Sequence, residues 1–332
     1  MPVSLVIQTS FLGDTVLTTP LIARLAERGP VDVVVTPAAA GLLANNPSIR
    51  ELVVYDKRGR DRGVGGFARV ARRLRSRRYD AAYLAQGSLR SGALALAAGV
   101  RRRVGFATST GRVLYTTRVA VAPGSHHVVK LVRLGGDDPP RGALQPRLFP
   151  GHAEKASVAT LLGDEARPLV ALAPGSVWAT KRWPHYAELA ALLAADARIA
   201  IVGGSDDAPL AREIVTRVPG AIDATGRLSL LGSAELIRRA AVVVTNDSAP
   251  LHLASATGTP TVAIFGPTVP AFGFGPLAPR SAIVGQELLA CRPCSAHGPQ
   301  RCPLGHWRCM RLTSPAVVAA AVRGFLPVPI PS

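Results

Sequence analysis

The stretch SLVIQTSFLGDTVLTTP, residues 4–20, decides the fold. SLVIQTS is an apolar, β-branched run of strand length and FLGD (11–14) reads as a turn. From 15 to 28 the apolar spacing puts Leu17, Leu21, Ile22 and Leu25 on one helical face. A buried strand feeding a helix opens a strand–helix–strand unit, and the pattern recurs. VDVVVT (31–36), ELVVYD (51–56) and YDAAYLAQ (79–86) predict strands, and 65–78 and 88–100 predict helices. Strands that are apolar almost throughout imply a parallel sheet covered on both faces. From about 107 to 168 the alternation gives way to turns, with a Pro/Gly-rich linker at 135–151. It restarts with PLVALAPGS (168–176), RIAIVGGS (198–205), AVVVTND (241–247) and PTVAIFGPT (260–268). Helices are predicted near 185–196, 208–217, 232–240, 249–257 and 314–325. The expectation is two doubly wound α/β domains, 1–150 and 151–312, with a C-terminal helix and tail at 313–332.

A chain of 332 residues that is 48% hydrophobic can bury two cores, which excludes disordered and collagen-like classes. It contains no uncharged apolar run long enough to span a bilayer, and its N-terminus lacks a secretory signal pattern, so the expected location is cytoplasmic. Charge is distributed unevenly. Residues 1–150 carry 23 basic and 9 acidic side chains, whereas 151–332 carry 16 and 12. A polycationic first domain suits a phosphorylated substrate or an anionic membrane surface. Nucleic acid is disfavoured: the arginines lack interleaved aromatics, and no helix-turn-helix or RNA-binding signature is present.

In doubly wound sheets, ligands sit beyond the carboxyl ends of the strands. Three clusters fall there. In LGDTVLTTP (12–20), Gly13 permits close approach to the backbone. Asp14 reads either as a helix N-cap or as a carboxylate able to take a proton from an acceptor hydroxyl. In APGSVWATKRWP (173–184), Gly175, Ser176 and Thr180 offer donors, and Lys181 and Arg182 offer charge for a diphosphate. In VTNDSAPLHLASATGTPTVAIFGPT (244–268), Asp247, Ser248 and Ala249 mark a helix start that favours phosphate, and His252 follows. Asp247 beside a diphosphate is expected to order the loop, to meet a sugar hydroxyl, or to bind a metal if one is present. A fourth cluster holds every cysteine: Cys291, Cys294, Cys302 and Cys309 are spaced C-x2-C-x7-C-x6-C. That spacing is compatible with structural zinc, with free thiols or with a disulfide.

Together, and in this order, these motifs resemble the ADP-heptose:lipopolysaccharide heptosyltransferases of glycosyltransferase family 9. PG-x(5)-KRWP and TNDS-x(3)-H carry the resemblance, and the cysteine block narrows it to the type II group. The resemblance implies a GT-B fold, with two Rossmann-like domains facing a cleft, acceptor on the first and nucleotide sugar on the second. The C-terminal helix would pack back on the first domain. It implies an inverting transfer of heptose from ADP-L-glycero-D-manno-heptose to the heptose of a phosphorylated lipid A–inner core acceptor, with no required cofactor or metal. Asp14 would be the general base, and Lys181 would meet the departing diphosphate. Ser176 and Thr180 would hold phosphates, Asp206 the ribose and Leu228 the adenine. Gly13, Asp247, Ser248, Ala249 and His252 would complete the site. The enzyme would work at the cytoplasmic face of the inner membrane. The other readings are a relative using another nucleotide sugar or acceptor, and a non-catalytic nucleotide-sugar binder.

Overall fold

The structure, a computed structural model, describes residues 1–136 and 144–327 and divides into two units, Met1–Phe149 and Pro150–Ser332. Part of the expected linker, 137–143, and the end of the tail, 328–332, lie outside the described residues.

In the first unit six parallel strands run β1 (Ser4–Gln8), β2 (Val31–Val35), β3 (Glu51–Val54), β4 (Ala81–Leu84), β5 (Arg102–Phe106) and β6 (Thr117–Val119). Their spatial order is β3-β2-β1-β4-β5-β6. Helices α1 (Leu12–Ala26), α2 (Pro37–Leu43), α3 (Gly63–Arg75), α4 (Leu89–Ala97) and α5 (His127–Arg133) connect and cover them. The core is built as the periodicity demands, with Leu5 and Ile7 of β1 and Leu17, Leu21 and Ile22 of α1 all fully buried. Leu74 of α3 is likewise inside, while the arginines of that helix face water. Strand β6 and helix α5 fall where only turns were expected. β6 is a three-residue edge strand with exposed Thr117 and Arg118, too short and too polar to show a period.

The second unit begins with α6 (His152–Leu162) and repeats the plan. Its strands are β7 (Leu169–Ala173), β8 (Arg198–Ile201), β9 (Ile222–Asp223), β10 (Val242–Asn246), β11 (Thr261–Phe265) and β12 (Ser281–Gly285). Their order is β12-β11-β10-β7-β8-β9, so the two sheets have the same topology. Between them run α7 (Tyr186–Leu193), α8 (Ala208–Arg217), α9 (Leu230–Arg239) and α10 (Ala249–Thr257), followed by α11 (Arg308–Arg311) and α12 (Pro315–Arg323). The outer strands β9 and β12 carry no strong sequence signal, and register beside buried neighbours makes them strands.

Helix α12 clusters with the second unit. Its Val318, Ala319 and Val322 are fully buried in that unit's core beside Leu189 and Leu193 of α7. Burying each valine contributes about 1.5 kcal/mol or more, which commits this apolar stripe to its own unit.

Candidate active site

In each sheet the order reverses between two neighbouring central strands, β1 and β4 in one and β7 and β10 in the other. The loops leaving such a pair diverge to opposite faces and open a crevice at the carboxyl edge.

In the first unit that crevice holds Asp14. Helix α1 starts three residues earlier than the apolar pattern indicated, with Phe11 at the N-cap position and no side-chain cap. Asp14 therefore lies inside the first turn and does not cap. Its Oδ2 is 2.6 Å from Ser10 Oγ, and that hydroxyl is also 2.8 Å from Gln8 Oε1, so its one proton serves one of two acceptors. Gln8 Nε2 donates to Thr18 Oγ1 at 2.9 Å, and Thr18 donates to the Asp14 carbonyl at 2.7 Å. The base of the helix is thereby tied to the end of β1. The second carboxylate oxygen, Oδ1, lies 3.7 Å from His127 Nε2 at the start of α5. Burial lowers the pKa of this imidazole, with Lys130 and His126 adding to the effect and the Asp14 carboxylate opposing it. Asp14 and His127 each keep about one-fifth of the side chain exposed, so the pair is reachable from solvent. Gly13 is buried beneath it. Ser10, Gln8 and His127 were absent from the sequence reading. The histidine was hidden because α5 lies in the stretch that showed no alternation.

In the second unit Lys181 and Asp247 meet across the β7–β10 junction. Lys181 Nζ donates to Asp247 Oδ2 at 2.6 Å, and both side chains are only 10% exposed. Thr268 Oγ1, in the turn after β11, donates to the same oxygen at 2.7 Å. Asp247 thus joins the loop after β7 to the turn after β11. Asn246, fully buried, donates to the Pro174 carbonyl at 2.8 Å and accepts from Trp183 N at 3.2 Å, stapling both ends of the 174–183 loop to β10. Asn246 and Thr268 both lie within the quoted stretch 244–268, but the sequence assigns neither a role of its own. Ser248 Oγ is buried without a hydrogen-bond partner at the start of α10, where its side chain does not cap. Ala249 begins that helix. Pro250 follows in the first turn, where a missing N–H costs nothing because those N–H groups have no intrahelical acceptor. His252 is buried on the next turn, its ring edge-on to Phe274 at 6.2 Å.

The remaining expected positions scatter. Ser176 Oγ accepts from Trp178 N at 3.3 Å, shaping the loop. Thr180 donates its hydroxyl to the Pro299 carbonyl and is thereby engaged with the cysteine-bearing segment. Asp206 is exposed in the turn Ser205–Asp207. Its neighbour Asp207 is the residue that reaches inward, accepting from Gly204 N at 2.9 Å and lying where a Cβ on Gly175 would collide. Leu228 is half-buried and lines a cavity of about 400 Å³ with Thr160, Ile222, Asp223 and Arg227.

The cysteine block wraps this loop. Gly298, at φ +77°, lies so close to Thr180 Oγ1 and Lys181 Cε that any side chain there would press on both. Arg292 donates to the Thr268 carbonyl at 3.0 Å, and Cys294 N donates to Pro267 O at 2.8 Å. All four cysteines are free thiols, so the disulfide reading is not met. Among the described residues no three His, Cys, Asp or Glu side chains are grouped to hold a metal ion, so the zinc expectation finds no ligand set. Burial opposes ionisation of Cys302, yet backbone hydrogen bonds from Trp307, Leu304, His306 and Gly305 outweigh it and lower the pKa. Burial pushes Cys309 up to about 11, with Cys294 next to it adding to the shift.

Two six-stranded parallel units of the same topology, each with a switch point in its strand order, are the architecture of the GT-B class. The backbone follows that of Escherichia coli ADP-heptose lipopolysaccharide heptosyltransferase II with a TM-score of 0.81, 24% identity and 98% of each chain covered. Residues 67–305 match the family model of glycosyltransferase family 9 (heptosyltransferase), and the chain belongs to that family. Haemophilus influenzae lipooligosaccharide heptosyltransferase 2 is 28% identical over 84% of this chain and 87% of its own length. Pseudomonas aeruginosa lipopolysaccharide heptosyltransferase 1 is 28% identical over 87% and 85%.

Proposed function

We propose that the enzyme transfers heptose from ADP-L-glycero-D-manno-heptose to the heptose of a phosphorylated lipid A–inner core acceptor, with inversion. The observation that carries this reading is the buried Lys181–Asp247–Thr268 cluster at a switch point, in a chain that also presents Asp14 at the other. The acceptor oxygen attacks the anomeric carbon, the bond from that carbon to the diphosphate oxygen breaks, and Asp14 takes the hydroxyl proton. Charge appears on the departing ADP, where the Lys181 ammonium and the N-terminal N–H groups of α10 are in place to receive it. Ser248 Oγ, buried and without a partner, supplies one more donor. Thr180, Ala249 and His252 line the same loops, while Asp206 for ribose and Leu228 for adenine extend the donor site. No cofactor is required by this chemistry. The excess of basic side chains in the first unit supports a phosphorylated acceptor and an anionic membrane as partners, and with them a location at the cytoplasmic face of the inner membrane. No helix among the described residues is long and apolar enough to cross one.

The likeness to heptosyltransferases of both types motivates a second reading, in which the acceptor carries no heptose yet. Incubation with ADP-heptose and core-truncated lipopolysaccharides bearing either one heptose or none, read by mass spectrometry, separates them. Addition only to the heptose-bearing acceptor supports the first reading, and addition only to the heptose-free acceptor supports the second. Transfer from another nucleotide sugar with none from ADP-heptose refutes both.

A further inference from the structure

Because every strand of the first sheet is parallel, the loops after β1, β3, β4 and β5 leave it at one edge. Hydrogen bonds lace them together. Lys57 Nζ donates to Thr9 O at 2.8 Å, Thr9 Oγ1 donates to Gln86 Oε1 at 3.0 Å, and Gly111 N donates to Gly87 O at 3.0 Å. On this braced edge four apolar side chains point to water: Val64 is 85% exposed, Val113 66%, and Phe11 and Leu89 53% each. Each sits at or within a helical turn at this edge. Exposed arginines accompany them at 58, 62, 90 and 112, and these four form no ion pair among the described residues. The nearby acids are already used: Asp61 is buried against Arg69 at 2.8 Å, and Asp56 accepts from the backbone of Gly59 and Arg60. Burial and the charges of Arg58 and Arg90 depress the Lys57 ammonium, a sign of the positive field there. Separated apolar tips set among unpaired cations form a surface with no use in water and two complementary uses at an anionic lipid interface.

We propose that this edge is a membrane-docking surface, in which Val64, Leu89 and Val113 enter the headgroup boundary of an anionic leaflet while Arg58, Arg62, Arg90 and Arg112 bind its phosphates. This deepens the functional reading above, since a lipid-anchored acceptor would then be met at the edge that carries Asp14. The arginines and the apolar tips have separable signatures. Each arginine at such a surface contributes about fivefold in affinity, so R58Q/R62Q/R90Q/R112Q should lose roughly several hundredfold and wild-type binding should fall steeply with salt. V64S/L89S/V113S should lose about tenfold or more at unchanged charge.

The test is co-sedimentation of the full chain with vesicles of phosphatidylglycerol and phosphatidylcholine in equal parts, against phosphatidylcholine alone. ADP-heptose binding to each variant serves as the folding control. V64W and V113W variants add a second readout, since insertion should shift their emission to the blue with anionic vesicles only. Equal binding to both vesicle types, wild-type binding by the triple serine variant, or unshifted emission at both tryptophans would each overturn the proposal. The two readings fail separately. A chain that docks as described but moves no heptose leaves this surface standing and refutes the transfer. Heptose transfer to a deacylated, soluble acceptor by a chain that ignores vesicles does the reverse.

Discussion

Replacing Lys181 with alanine separates the ion pair this side chain makes from the donor contact proposed for it. Its ammonium neutralises Asp247 at 2.6 Å in a site where both side chains are 10% exposed. Removing it strands a carboxylate with only the Thr268 hydroxyl as partner. Breaking one side of a fully buried pair costs about 3–5 kcal/mol. The remaining hydroxyl and the slight exposure reduce that to about 2–3 kcal/mol, which for a unit of this size lowers the melting temperature by roughly 4–10 °C. Donor binding should also suffer: a charge-assisted contact to a diphosphate is worth about 1.5–3 kcal/mol, or roughly ten- to 150-fold in Kd. The double variant K181A/D247N removes the stranded charge while keeping an acceptor for Thr268. Denaturant unfolding should show most of the stability restored, whereas calorimetry with ADP should show affinity still low. If the double variant regained donor affinity along with stability, Lys181 would serve only to neutralise Asp247, and its assignment to the leaving group would be wrong. If K181A lost no stability, the pair would not be coupled in solution.

Three further outcomes follow from the same geometry. Asp14→Asn keeps the shape and the Ser10 contact but cannot accept a proton, so turnover should fall about 10²–10⁴-fold with donor affinity intact; a full-rate variant refutes the base assignment. Burial holds the His127 pKa below its ordinary value of about 6.5, so the unfolded chain takes up that proton first as pH falls. The stability contributed by neutral His127 is thus complete above about 6.5 and is lost on acidification towards the lowered native value. His127→Gln should flatten the fall in denaturation midpoint between pH 7.5 and 5.5, and an unchanged slope would assign it elsewhere. Iodoacetamide should label Cys302 first, because its thiolate is stabilised by backbone N–H groups, and Cys309 last, because it is buried with a pKa of about 11. Peptide mapping that found the opposite order would contradict that account.

What could be read in the sequence is what periodicity and strand-end position encode. Leu5, Ile7, Val33 and Val244 sit on strands buried on both faces, and such strands announce themselves as apolar runs. Asp14, Lys181 and Asp247 stand out because each lies in the segment that leaves the end of one of these runs. The misses have one physical origin. β6, β9 and β12 are short or half-covered edge strands, and they exist because a buried neighbour offers a ladder of unsatisfied N–H and C=O groups. His127 and Thr268 act on residues 113 and 21 positions away, a proximity that only the folded chain creates. Asp206 and Asp207 show the limit of counting: one residue's difference in register decides which carboxylate turns towards Gly175 and which faces solvent.

The two units share one strand order, yet their equivalent loops present opposite charges with different partners. After β1 the junction holds a carboxylate whose partners are a hydroxyl and an imidazole whose pKa burial lowers. After β7 the junction holds an ammonium whose carboxylate partner is shared with Thr268, so the cation is fixed in place while its remaining N–H groups stay unspent. The duplicated fold supplies position twice, and in the proposed reaction the different partners around each charged group would divide acid–base work from leaving-group work, the cation being held by a counter-ion it shares with Thr268.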